Sequence, residues 1–160
     1  MLRILDIVPG TSVDGPGLRT AIYFAGCSHH CEGCHNPQSW DMDGGTEMTV
    51  EEIMERIKEE EFNVTFSGGD PLFQDSDELA SLAHRINEEG YSLWCYTGFT
   101  IEHLWNDHRF ERLRPWLDVL VDGPFIASLR DISLRFRGSS NQRLIDMRHS
   151  SPGNISIVDI

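Results

Sequence analysis

Three cysteines fall within a few residues of one another in the stretch GCSHHCEGCHNP, positions 26–37. Cys27, Cys31 and Cys34 have the spacing C-x3-C-x2-C. Thiols this close in a chain without a secretory pattern point to metal ligation or redox chemistry, not to a disulfide scaffold. A structural zinc ion wants a closed set of four donors, and His29, His30 or His35 is placed to supply the fourth. An iron–sulfur cubane is also held by thiolates, usually four. With three, one iron keeps no protein ligand and can take a small molecule through an amine and a carboxylate. The remaining cysteine, Cys95, lies among apolar residues in SLWCYTG and reads as a small buried hydrophobe.

Positioning this loop requires a scaffold, and the hydrophobic pattern describes one. RTAIYFAG (19–26) reads as a strand running into the cysteine loop. TVEEIMERIKEE (49–60) has the periodicity of an amphipathic helix, with Thr49 and Glu52 as a capping box and an apolar stripe of Val50, Ile53, Met54 and Ile57. FNVTFSGG (62–69) is a strand entering a tight turn. DSDELASLAHRINEEG (75–90) is a helix capped by Asp75 or Ser76 and stopped by Gly90. YSLWCYTG (91–98) is the next strand, TIEHLWNDHRF begins a further helix, and WLDVLVDG (116–123) is a strand again. Short strands near RLIDM and ISIVD finish the chain.

Strand, loop, helix, strand is the pattern of βαβ units, so the fold class expected is α/β. Four strands in succession end in glycine-containing polar loops. In a parallel sheet those loops gather at the carboxyl ends of the strands, where sites are built. The CSHHCEGC, SGGDP, YTG and VDGPF loops should therefore be neighbours. The chain is too short for eight βα units of ordinary size. A curved, partial (β/α) barrel with a mostly parallel sheet and outer helices, spanning 1–160 as a single domain, is the expectation.

Composition narrows the function classes. The 160 residues are 39% hydrophobic and 24% charged, an ordinary globular balance. No apolar run approaches the roughly 20 residues of a membrane span, and the first residues lack a secretory pattern, so the expected location is the cytoplasm and no membrane partner. A formal charge of -13 argues against binding a phosphate backbone, hence no nucleic acid. Lys58 is the only lysine. Several of the arginines form two runs, Arg109-Arg112-Arg114 and Arg130-Arg135-Arg137-Arg143. Arginine favours fixed contacts with carboxylate or phosphate. The runs read either as salt bridges to the abundant acids or as docking sites for an acidic partner.

Taken with the GGDP loop one strand later, the C-x3-C-x2-C loop resembles that of the radical S-adenosylmethionine (SAM) enzymes. DGPGLRT, CEGCHNPQSW, SGGDPL, YTGF, VLVDGPF and RGSSNQRLID, in order over 14–146, resemble the family of activators of anaerobic ribonucleoside-triphosphate reductase. Gly33 before the last cysteine sets the chain apart from the longer pyruvate formate-lyase activases, which have an aromatic residue there.

The resemblance implies a [4Fe-4S] cluster on Cys27, Cys31 and Cys34, with SAM on its open iron. It implies that Gly68, Gly69, Asp70 and Pro71 line the methionine end, and that Gly33 and His35, flanking the cofactor-binding Cys34, lie at the adenine. Thr97, Gly98 and Asp122, at the ends of later strands, are expected at the ribose. No further acid–base residue is expected to be catalytic. The implied reaction is reductive cleavage of SAM to methionine and a 5′-deoxyadenosyl radical, which abstracts a glycine Cα hydrogen on the reductase. The family expectation for the reductant is flavodoxin or ferredoxin, and for assembly a homodimer. Two readings compete: activation of another glycyl-radical enzyme, and a non-catalytic zinc or iron–sulfur module. DGPG (Asp14, Gly15, Gly17) reads as an entry turn or a lid, and SSNQR (139–143) as a turn or a site.

Overall fold

The computed structural model describes residues 1–34 and 37–159. Its strands are β1 (Leu2–Thr11), β2 (Arg19–Phe24), β3 (Thr46–Met48), β4 (Asn63–Gly68), β5 (Leu93–Tyr96), β6 (Val119–Asp122) and β7 (Arg143–Asp146). Its helices are α1 (Val50–Glu60), α2 (Ser76–Glu88), α3 (Ile101–Leu104) and α4 (His108–Leu113). The strands form one sheet in the order β3-β1-β2-β4-β5-β6-β7.

The sheet is mixed. Its centre, β2-β4-β5-β6, is parallel, because helical connections return the chain to the same edge each time. The flanks are antiparallel: β1 pairs with β2 and β3, and β7 pairs with β6. The mostly parallel sheet expected from the sequence is found in the core strands, and the margins add antiparallel pairs to it. The pairing is that of an open sheet with β3 and β7 as edges, not a closed barrel.

Period-two alternation assigns the two faces. Ile22, Phe24, Phe66, Cys95 and Leu120 point to one side and join the large core cluster. Every buried helical residue belongs to the same cluster, including Ile53, Ile57, Leu82, Ile86 and Phe110, so the helices cover that face. Tyr23, Ser67 and Tyr96 point to the other side and line a cavity. A small cluster of Trp94, Val119, Val121 and Leu144 closes the β6–β7 end of this second face.

Local sequence explains the helix bounds. The Thr49 side chain accepts from the Glu52 N–H while Glu52 reaches back to the Thr49 N–H, completing the capping box. Asp75, not Ser76, caps α2, accepting from the N–H groups of Asp77 and Glu78. The single helix expected from TIEHLWNDHRF is two. Asp107 accepts from the Arg109 N–H and starts α4 anew, which interrupts the run from α3. The strand expected at ISIVD is only an isolated bridge, Ile145 to Ile157. Cys95 is fully buried in the core, as its neighbours implied. No helix among the described residues is long and apolar enough to cross a membrane.

Candidate metal centre

The four loops after β2, β4, β5 and β6 meet at one cavity of about 790 Å³. Cys27, Cys31 and Cys34 line it together with Ser67, Gly68, Gly69, Thr97, Gly98 and Gly123. The volume is in the range of small-molecule and cofactor sites. His35 lies outside the described residues.

Backbone crossings bring the cysteine loop onto the β4 loop. The Gly69 N–H donates to Phe24 O at 2.8 Å and the Asp70 N–H to Gly26 O at 2.8 Å. Both glycines are required. A Cβ on Gly68, at φ +102°, would lie 2.4 Å from Phe24 N, and one on Gly69 would lie 2.4 Å from Gly26 O. Neither approach is sterically allowed to any other residue. The glycines therefore let two main chains touch at the cavity wall. His30, between the first two cysteines, takes a left-handed conformation (φ 49°), with its ring stacked on Trp40 at 4.5 Å.

Asp70 is buried, and its carboxylate faces the protein. Its Oδ2 accepts from Thr97 Oγ1 at 2.8 Å and from the Gly98 N–H at 2.9 Å, and lies 2.8 Å from His29 Nε2. Its Oδ1 accepts from the Leu72 N–H, starting the short turn Pro71–Phe73. Asp70 thus ties together the loops after β2, β4 and β5. Pro71 is buried within that turn. Gly33 is exposed, and a Cβ on it would face the Phe125 ring at 3.3 Å.

Asp122 is also buried and does not line the cavity. It accepts from the Ile101 N–H at 2.9 Å and from Arg143 at 2.6 and 3.1 Å, and Arg143 extends the network to Glu102. Thr97 does line the cavity, with its hydroxyl committed to Asp70 and to the Phe99 N–H.

Two cavity segments carried no decisive signal in the sequence. Ser12–Asp14 forms one wall, with Asp14 Oδ2 accepting from Tyr23 Oη at 3.0 Å. Burial pushes the Asp14 carboxyl up, opposed by Tyr23 and by nearby Arg19. Leu134–Gly138 forms the facing wall, held by Tyr96 Oη donating to Phe136 O at 2.6 Å. The SSNQR stretch anchors that wall. Gln142 Oε1 accepts from the Gly138 and Ser139 N–H groups, its Nε2 donates to Gly123 O, and Asn141 donates to Pro124 O. It is a clasp between two loops.

Burial pushes the Cys27 thiol up to about 11. A metal must therefore displace a proton there, as it does at any thiol ligand. Three thiols lining one cavity of this volume are a donor set that fits an iron–sulfur cluster in chemistry and in room.

Residues 13–145 match the family of 4Fe-4S single cluster domains. The anaerobic ribonucleoside-triphosphate reductase-activating protein of Escherichia coli K12 is 36% identical over 151 residues, 88% of this chain and 96% of that protein. The Haemophilus influenzae protein of the same name is 32% identical over 150 residues, with the same coverage, and that of phage T4 is 34% identical over 145 residues, 86% and 90% of the two chains. Among solved structures, QueE from Escherichia coli shares the fold with TM-score 0.51 at 19% identity, over 62% of this chain and 53% of that one. The fold and site are those of a single-cluster iron–sulfur domain. Within that class, the chain belongs to the family of anaerobic ribonucleoside-triphosphate reductase-activating proteins.

Proposed function

We propose that this chain activates an anaerobic ribonucleoside-triphosphate reductase by generating a glycyl radical on it, in the cytoplasm, with a [4Fe-4S] cluster and SAM as cofactors. It is a radical SAM enzyme. The observation that carries the reading is the meeting of the three-cysteine loop and the Gly68-Gly69 loop on one cavity wall, in a chain of this family. Cys27, Cys31 and Cys34 would hold the cluster. When bound, the two cofactors supply a one-electron cleavage of the sulfonium and a primary carbon radical able to take hydrogen from a glycine Cα.

The protein's own part is binding and exclusion. Gly68 and Gly69 present backbone without a Cβ, so a cationic amine can approach the main chain closely. Asp70 and Pro71 fix the geometry of that loop from behind. Gly33 and His35 are read as the adenine side, and Thr97 and Gly98 as neighbours of the ribose. Asp122 acts on the same region at one remove, by fixing the start of α3 through the Ile101 N–H. Tyr23 and Tyr96 line the cavity on the face of the sheet opposite the helices. We read the open sheet as a partial barrel whose mouth admits a polypeptide, with flavodoxin or ferredoxin as reductant.

Anaerobic reconstitution with iron and sulfide, then reduction with SAM present, tests the reading. The expected products are methionine and 5′-deoxyadenosine, with a glycyl radical signal when the reductase is added. One zinc per chain and no SAM cleavage would sink it.

A further inference from the structure

Half of the arginines are held in ion pairs. Arg3, Arg85, Arg109, Arg112, Arg143 and Arg148 pair with Glu47, Glu51, Asp107, Asp77, Asp122 and Asp118. Arg114 lies over the Trp105 ring, and Arg19 is buried against backbone carbonyls and Trp94. Among the described residues, Arg56 on α1 and the trio Arg130, Arg135 and Arg137 have no carboxylate partner in ion-pair range; Arg135 lies over the Phe136 ring and Arg137 donates to Gln142 O. The trio sits in one loop, and with only Asp131 against it that loop is net basic in a chain of formal charge -13.

The same loop carries exposed apolar side chains. Ile132 is 90% exposed, and Ile126 and Leu129 are also exposed; Val13 stands 70% exposed on the facing wall. The loop is built, not slack. A bridge pairs Arg130 with Ser139, the Asp131 N–H donates to Gly138 O, the Ser140 N–H donates to Leu129 O, and the Gln142 clasp holds its base. Its inner side, Leu134–Gly138, is the wall of the cysteine cavity.

From this we infer that the Ile126–Arg137 rim is the docking surface for an acidic, apolar-flanked polypeptide segment of the protein being activated. The inference rests on the function proposed above and names the partner's chemistry. A segment delivering a backbone atom into the cavity past its Leu134–Gly138 wall meets this rim. Guanidinium groups without a carboxylate of their own attract carboxylates and fix them in register, and preorganised apolar side chains lower the ordering cost of contact. The chain's overall negative charge opposes a nucleic acid at the same place.

The double variant Arg130→Glu with Ile132→Asp tests it, since both residues are exposed and neither lines the cavity. The holoenzyme should bind the full reductase about tenfold more weakly, with a shallower salt dependence. Its dithionite-driven SAM cleavage without reductase should stay within about twofold of the wild type, and so should reductase binding by Arg112→Glu, away from the cavity. Reductase affinity unchanged in the double variant overturns the inference. So does selective loss of reduction by a flavodoxin, or of binding to single-stranded DNA, with reductase affinity intact. Wild-type enzyme that cleaves no SAM refutes the function itself and is read in a separate assay.

Discussion

His29 Nε2 and Asp70 Oδ2 lie 2.8 Å apart, joining a residue between two of the cysteines to the carboxylate behind the double-glycine loop. The His29 ring packs against Phe99 at 4.5 Å and Phe73 at 5.5 Å. It also sits directly over Gly98, where a Cβ would come within 2.5 Å of the ring. The acid of the GGDP motif therefore holds the cysteine loop in place. His29→Ala should leave Asp70 a buried carboxylate short of one donor, at a cost of about 1–3 kcal/mol in the metal-free protein. Reconstituted iron content should fall as the loop loosens, and His29→Gln, which keeps a donor, should recover part of both. Urea unfolding and iron assay check this; an alanine variant with wild-type stability would show that the pair holds nothing.

The double glycine makes a sterically sharp prediction. Gly68→Ala and Gly69→Ala each force a Cβ against main-chain atoms at 2.4 Å, which cannot move without parting β2 from β4. Each should cost at least about 3 kcal/mol and abolish cluster retention. Gly17 also has a left-handed φ, +72°, but open space around it. Gly17→Ala should cost only about 1–2 kcal/mol. Thermal unfolding of the three variants separates crowding from backbone preference, and equal losses would contradict the crossing.

Replacing the cysteines one at a time distinguishes ligand from packing. Cys27→Ser, Cys31→Ser and Cys34→Ser should each lose most of the iron while the metal-free fold stays intact, because the large core cluster does not depend on the cavity. Cys95→Ala should keep full iron and the absorbance of the cluster, losing about 1–3 kcal/mol from a small core void. Chelation of the wild type should likewise bleach the protein and leave its far-ultraviolet circular dichroism. Iron loss in the Cys95 variant would put the cluster elsewhere.

Much of the scaffold was legible because local signals agreed with it. Thr49 with Glu52, the Asp75-Ser76 cap, and the short apolar runs in RTAIYF and WLDVLVDG each state their element directly. Edge strands were harder. β1 is polar at every second or third position and pairs with the three-residue β3, a contact that no short-range pattern announces. The site was legible as a set of loops but not as a set of roles. Asp70 and Asp122 end strands just as ligand-binding acids do. Only their partners, His29, Thr97 and Gly98 for one and Arg143 with Ile101 for the other, show both turned inward. Such partners lie 21 to 41 residues away in sequence and leave no local trace.

Asp122 can be tested on that point. Its carboxylate is 1% exposed and meets Arg143 at 2.6 Å. Asp122→Asn removes the charge from a pair whose Arg143 is partly exposed and keeps Glu102, and should destabilise the protein by about 1–3 kcal/mol. SAM affinity per correctly folded molecule should change less than about threefold, since the side chain lies outside the cavity wall. Calorimetric titration of SAM onto the reconstituted variant decides between this and a direct ribose contact, which would weaken binding far more than stability.

Asp14 yields a pH dependence of definite sign. Burial beside the cavity raises its carboxyl above the ordinary 3.8, against the smaller opposing effects of Tyr23 and Arg19. A carboxyl raised by folding favours the folded state while protonated, so its contribution is fully present below the unfolded value and is lost as pH rises through the folded one. At neutral pH the buried carboxylate is therefore a net liability. Asp14→Asn keeps an oxygen to accept from Tyr23 and removes the charge. The variant should match the wild type at about pH 3 and be more stable than it at about pH 7. Urea unfolding of the metal-free proteins at the two pH values measures this. If the variant is instead weaker at neutral pH, the Tyr23 bond and the Arg19 charge outweigh desolvation, and Asp14 is a structural anchor for its wall.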